Sequence, residues 1–258
     1  MAIIKTPEEI AILRRSGALL SSALAKVVAA AVPGATTGEL DALATKVLRA
    51  GGGEPSFLGY KTRVADRAFP TTMCTSINHE VVHAPATPSR ALRSGDVVGF
   101  DIGVRLDGYC TDMAVTLGIG KPPKETKQLI AVTRESLMRG LSVIKPGAWI
   151  SDIGKTVQTY VERNGYTVVR DLVGHGVGKA VHEDPRIPNY FDTRLKPVRI
   201  EEGMVLCIEP MVNVGDYDVA TLPDGWTIVT ADGSLAAHFE VTIVVTKKGF
   251  DIITPLPV

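Results

Sequence analysis

An α+β fold assembled from two similar halves is the class this sequence predicts, and three observations predict it. Two helix pairs, each broken by a Pro-Gly-Ala turn, recur at an offset of 113 residues. Short strand-like runs follow each pair. Ionisable residues stand at the ends of several of those apolar runs, where burial is costly unless a cation compensates for them.

Thr6-Pro7-Glu8-Glu9 is a capping box with proline at the first helical position, and it opens an amphipathic helix that runs to about Ala31. Val32-Pro33-Gly34-Ala35 breaks that helix. Thr36, with Glu39 three residues on, caps a second helix that Gly51-Gly52-Gly53 ends. Strands flank Asp107-Gly108, a pair that reads as a tight hairpin turn. With those two as the loop, Leu106 faces Tyr109 and Asp101 falls opposite Ala114. Asp112 then shares a face with Asp101, one diagonal step away.

The second helix pair starts at about Glu125 and about Ser151, with a break at Lys145-Pro146-Gly147-Ala148 and a stop at Asn164-Gly165. At the 113-residue offset Leu24 falls on Leu137, Leu40 on Ile153 and Gly52 on Gly165. Agreement of turn, caps and helix lengths together reads as a duplication. Strands around 166–170, 204–208 and 239–245 complete the second half. The expectation is two pseudo-repeats, about 1–120 and 121–258, packed as one body with its site on the seam.

At 258 residues and 45% hydrophobic content the chain can bury a sizeable core. Twenty-eight basic residues balance 28 acidic ones, which leaves no electrostatic footprint for nucleic acid or an anionic membrane. No run approaches the roughly 20 apolar residues of a membrane span, and the N-terminus lacks the basic-then-apolar order of a signal peptide. The expected location is the cytoplasm. Three cysteines, Cys74, Cys110 and Cys207, are an odd number without metal-type spacing, which speaks against a disulfide framework and for a reducing compartment.

Asp101 and Asp112 come from the first half, and His175, Glu209 and Glu240 from the second. Two adjacent carboxylates repel and drive one pKa upward unless a cation sits between them. Glu209 and Glu240 are badly placed for purely structural strands, and glycines flank His175 in Gly174-His175-Gly176, letting the backbone turn sharply and approach closely. One nitrogen and four carboxylate donors suit manganese, iron, cobalt or zinc. Four carboxylates balance two divalent ions, which would depress the pKa of a bridging water and supply a hydroxide nucleophile. Metal-assisted hydrolysis is the reaction class expected.

The motifs Gly99-Phe100-Asp101-Ile102-Gly103, Gly108-Tyr109-Cys110-Thr111-Asp112, Gly174-His175-Gly176-Val177-Gly178, Ile208-Glu209-Pro210 and His238-Phe239-Glu240-Val241-Thr242 closely resemble those of type I methionine aminopeptidases. That family has the pita-bread fold, shared with aminopeptidase P, prolidase and creatinase, in which helices cover an antiparallel sheet of two pseudo-symmetric halves. The resemblance covers nearly the whole chain and implies a single catalytic domain. It implies that Asp112 and Glu240 bridge two metals, that Asp101 completes one ion's shell, and that His175 and Glu209 complete the other's. It makes Glu209 the proton shuttle as well. His83 would hydrogen-bond around the substrate's first amide, and His182 would polarise the carbonyl and stabilise the oxyanion.

Phe57, Tyr60, Phe69, Cys74 and Trp226 match the family's methionine pocket. The chain departs from its relatives at Lys61 to Ala68, an insertion beside that pocket, at Val181, where many relatives carry an aromatic, and at Ala84, where glycine is common. The family role implied is removal of the initiator methionine from nascent chains when the second residue is small. Nascent N-termini are the expected partners, with the ribosome as a further candidate contact and a monomer as the expected state. His79 and His238 match no family role and read as solvated or core-satisfied imidazoles; Cys110 and Cys207 read as core fillers.

Two other readings differ in sequence. Prolidase and aminopeptidase P relatives usually carry a large N-terminal domain, whereas here the catalytic helices start at Thr6. Type II enzymes carry a helical insertion in the second half, but only 33 residues separate His175 from Glu209. A metal-free binding protein on the same fold is the alternative from another class, and the intact ligand set disfavours it.

Overall fold

The computed structural model describes residues 4–61, 67–194 and 196–257. Of the insertion at 61–68, residues 62–66 lie outside them.

Helix α1 (Pro7–Ala30) begins as its capping box dictates: the Glu9 amide donates to Thr6 Oγ1 at 3.3 Å, and the Thr6 amide donates to Glu9 Oε2 at 2.8 Å. Helix α2 (Thr37–Ala50) repeats the device with Thr36 and Glu39. Leu13, Leu20, Leu24 and Val27 form one stripe of α1 and are fully buried. Strands β1 (Glu54–Pro55), β2 (Met73–Ile77), β3 (Glu80–Val82), β4 (Val97–Leu106) and β5 (Tyr109–Gly118) follow. The β4–β5 turn holds Asp107 at φ 48° and Gly108 at φ 84°, the left-handed pair that a two-residue hairpin needs. Leu106 pairs with Tyr109 and Asp101 with Ala114, as the hairpin predicts.

Helices α3 (Lys124–Ser142) and α4 (Ile150–Arg163) form the second pair, each starting one residue before its sequence signal. Trp149 occupies the cap position of α4, and its amide donates to the Asp152 carboxylate at 3.0 Å. The remaining strands are short: β6 (Thr167–Val168), β7 (Gly174–Gly176), β8 (Glu183–Ile187), β9 (Val205–Ile208), β10 (Met211–Asn213), β11 (Val219–Thr221), β12 (Ile228–Thr230), β13 (Ala236–His238), β14 (Glu240–Val245) and β15 (Phe250–Ile252). Among the described residues the main sheet has nine strands in the order β1-β4-β5-β14-β9-β7-β8, with β2 on β4 and β15 on β14. Its paired strands run antiparallel. The β5–β14 pairing joins first-half to second-half strands.

Alternation along the strands separates two kinds of surface. Val98, Phe100, Ile102 and Val104 of β4, Met113 and Val115 of β5, Leu206 and Ile208 of β9, and Val241 and Ile243 of β14 share one core with α1 to α4. Each such side chain contributes roughly 1.5–3 kcal/mol by leaving water. The intervening residues Asp101, Asp112, Cys207, Glu240 and Thr242 point to the opposite face. A one-residue slip would put carboxylates into the helix-covered core, so the register is strongly determined.

Candidate metal centre

Registers across five strands bring the ionisable residues together. Asp101 lies opposite Ala114, and Ala114 opposite Glu240. On the neighbouring rung Asp112 lies opposite Gly103, while Thr242 pairs with Cys207 and Cys207 with His175. Residues directly opposite, or two apart, share a face. Glu209 follows Ile208, which pairs with Val241, and so arrives level with Glu240 as β9 ends. Beyond Val241 the β5–β14 ladder opens, and the Thr242 hydroxyl closes the gap by accepting from the Asp112 amide at 3.1 Å and donating to the Asp112 carbonyl at 2.7 Å.

Donor atoms of Asp101, Asp112 and Glu240 lie within 4.8 Å of one another, as do those of His175, Cys207 and Glu240, and those of Glu209, His238 and Glu240. Glu240 belongs to each group. His175 Nε2 stands 3.4 Å from Glu209 Oε1. Asp101 is 8% exposed and Glu240 only 2%. Asp101 Oδ1, Asp112 Oδ1, Glu209 Oε1 and Glu240 Oε1 are buried without a hydrogen-bond partner among the described residues. Burying one unpaired ion costs several kcal/mol, so four converging carboxyls are not a structural device.

Their protonation follows from the crowding. Burial pushes Asp101 up to about 7, against the lowering influence of the Cys74 thiol and Asp112 beside it. Burial first and Glu240 second hold Asp112 far above the carboxylate range; burial and then Asp112 do the same for Glu209, and burial and then Glu209 for Glu240. The same burial keeps the imidazoles neutral. His175 is lowered to about 3 and His83 to about 4, each with His182 as the next cause, and His182, though exposed on one side, is itself lowered by desolvation of its ring.

His182 precedes β8, and its ring packs edge-on to His175 with centroids 4.4 Å apart. The Tyr60 hydroxyl is 2.8 Å from His182 Nδ1. Glu183, next in the chain, ties this loop down: Oε2 accepts from Lys5 Nζ at 2.6 Å with both side chains buried, and Oε1 accepts from the Ala180 amide at 3.0 Å. His83 follows β3 and adopts φ 60°, a strained conformation for a non-glycine residue of the kind that clusters at functional sites. The pocket candidates form an aromatic run, with Phe69 edge-on to both Phe57 (6.5 Å) and Trp226 (5.2 Å). Cys74 pairs in register with Asp101 and is 3% exposed.

Sequence reasoning passed over two groups. His238 is neither solvated nor satisfied: it is 4% exposed, and its Nε2 lacks a partner among the described residues. Cys207 fills core as expected, packed with Leu13, Val205 and Val244, and its thiol also stands among candidate donors. A period-two count from Glu240 back to His238, and from Glu209 back to Cys207, is the signal that could have found both.

The profile of metallopeptidase family M24 matches residues 11–247. Methionine aminopeptidase 1 of Bacillus subtilis is 45% identical over 254 residues, covering 98% of this chain and 99% of that protein. The crystal structure of a methionine aminopeptidase from Thermotoga maritima superposes with a TM-score of 0.93 at 40% identity, covering 98% of this chain and 99% of that one. Prolidase from Pyrococcus furiosus reaches a TM-score of 0.76 at 23% identity, over 98% of this chain and 66% of its own, a likeness of the pita-bread fold alone. By profile, by near-complete alignment and by fold, the chain belongs to metallopeptidase family M24.

Proposed function

We propose that this chain is a metal-dependent aminopeptidase that removes methionine from polypeptide N-termini. Membership of a metallopeptidase family and identity of 45% with a full-length methionine aminopeptidase support the reaction class. One structural observation carries the site: four carboxyls with orphaned oxygens converge on one point of the sheet, beside a neutral imidazole. Those donors fit divalent ions, because cations turn a costly cluster into a bound one.

In this reading Asp101, Asp112, His175, Glu209 and Glu240 would hold two ions of manganese, iron, cobalt or zinc. Bound there, they supply Lewis-acid polarisation and lower the pKa of water. The chain's own groups do the rest. Glu209, ionised once bound cations offset the neighbouring carboxylates, would take a proton from the attacking water and deliver it to the leaving amine. When the Tyr60 hydroxyl donates to His182 Nδ1, Nε2 carries the proton and donates to the developing oxyanion. His83 orients the first amide, and Phe57, Tyr60, Phe69, Cys74 and Trp226 receive the methionine side chain. The substrates proposed are initiator methionines followed by a small residue on nascent chains, acted on by a cytoplasmic monomer formed as one duplicated domain. Among the described residues no helix is long and apolar enough to cross a membrane.

The test is release of free methionine from a Met-Ala-Ser peptide by metal-stripped protein, with and without Mn²⁺ or Co²⁺, beside an Ala-Pro-Ser peptide. Metal-dependent release with the proline peptide untouched is expected. Cleavage of Ala-Pro-Ser alone would instead assign an Xaa-Pro aminopeptidase, and inactivity on both would favour a binding protein.

A further inference from the structure

Two strand pairs meet the site through the same interruption. Strand β9 ends at Ile208 and β10 begins at Met211; facing them, β13 ends at His238 and β14 begins at Glu240. Ile208 pairs with Val241 and Met211 with His238, so one antiparallel ladder is broken on both strands at the same level. There it passes from the main sheet to the small β13-β10-β6 sheet. Glu209 sits inside the break, and His238 and Glu240 flank it. Phe239, between them, is buried in the helix-covered core, which leaves its two neighbours to point the other way.

His238 is fixed at this break. Its amide donates to Thr116 Oγ1 at 2.9 Å, and its carbonyl accepts from the same hydroxyl at 2.7 Å. The imidazole is 4% exposed, and Nε2 is buried without a hydrogen-bond partner among the described residues. Glu240 Oε2 is the near carboxylate, at 4.0 Å. That is too long for a hydrogen bond. It is a natural spacing for two donors to one ion, since atoms each about 2.1 Å from a metal lie up to about 4.2 Å apart. The Glu209 carboxylate completes a group whose donor atoms are all within 4.8 Å, and its Oε1 is orphaned as well.

We propose that His238 is a further metal ligand of this chain, presenting Nε2 to an ion held with Glu209 and Glu240. The inference rests on the metal-centre reading above and adds a sixth protein donor to it. It makes the two ends of the site more unlike. Asp101 and Asp112 form an all-oxygen end with Glu240, whereas the other end gains a second imidazole beside His175. Imidazole suits cobalt, iron, nickel and zinc better than it suits manganese, so His238 biases that end toward the nitrogen-preferring metals.

Cobalt tests this without reference to turnover. In Co²⁺-loaded wild-type protein, hyperfine-shifted exchangeable proton resonances should report two coordinated imidazoles. His238→Gln should remove one of them and weaken the affected Co²⁺ step, measured by calorimetry, by about 10- to 100-fold, the range seen when metal-site partners are lost. His238→Asn serves if the glutamine variant does not fold, and the wild-type spectrum needs no variant. A single shifted imidazole in wild type, or an unchanged spectrum and affinity in a folded variant, would overturn the assignment of His238 alone. A wild-type chain that takes up no cobalt would overturn the metal-centre reading with it.

Discussion

The two faces of the main sheet are made by the same strands and obey opposite rules. On β4, Phe100 and Ile102 lie in the helix-covered core, while Asp101 between them faces the carboxyls of Asp112 and Glu240. The apolar face stabilises the fold whatever is bound. On the other face Cys110, Val205, Cys207 and Val244 join a smaller apolar cluster with Leu13, and the carboxyl cluster beside it opposes folding until cations arrive. Stability and chemistry are therefore separable by a single residue step, and substitutions one position apart should fail in different ways.

The largest effect should come from the acidic face. Glu209→Gln is expected to lower turnover by about 10² to 10⁴ by removing the proposed proton shuttle, while the metal-free protein melts no lower than wild type. Near-normal turnover would remove Glu209 from the mechanism. Phe100→Ala should do the reverse, costing about 3–5 kcal/mol of stability through the cavity it leaves, with the donor set intact in whatever protein remains folded. Denaturant unfolding of the two variants side by side checks the contrast.

Metal removal should expose the opposition between the faces directly. In the metal-free protein Asp112, Glu209 and Glu240 keep their protons well above the range in which an unfolded chain releases them. The native state then binds more protons than the unfolded state, and stability falls as pH rises. His83, His175 and His238 act in the opposite sense, because their lowered values make the unfolded state the better proton binder. That contribution is largely complete about one pH unit above the unfolded histidine value of about 6.5. The melting temperature of metal-free protein should therefore decline relative to the metal-loaded form as pH rises beyond the histidine range, and a parallel course of the two would contradict the assignment. The smallest effect belongs to Tyr60→Phe. Loss of its hydrogen bond to His182 is worth about 1 kcal/mol, or roughly fivefold in turnover, with the Met-Ala-Ser KM nearly unchanged.

What could be read from the sequence was local. The boxes at Thr6 and Thr36 and the turn at Asp107-Gly108 are built from neighbours in the chain, and the structure places each where its residues predict. The spacing of Asp101 and Asp112 follows from that turn alone. Helices α3 and α4 start less sharply because Pro123 and Trp149 offer no hydroxyl cap. Short strands such as β2, β8, β11 and β12 escaped notice: none exceeds five residues, and β8 contains Pro185. His238 escaped because its isolation depends on a ladder break made by two segments almost thirty residues apart. The match in Asp101, Asp112, His175, Glu209 and Glu240 was legible only because side-chain chemistry, unlike packing, survives in the order of residues.

The joint between β5 and β14 has a consequence for assembly. Strands β4 and β5 contribute two of the five expected donors, and β7, β9 and β14 bring the rest, so neither segment alone presents the complete set. High-affinity metal uptake should behave as a coincidence detector for docking of the two segments. Co-expressed as separate polypeptides cut near residue 120, they would acquire the colour of a cobalt centre only on recombining.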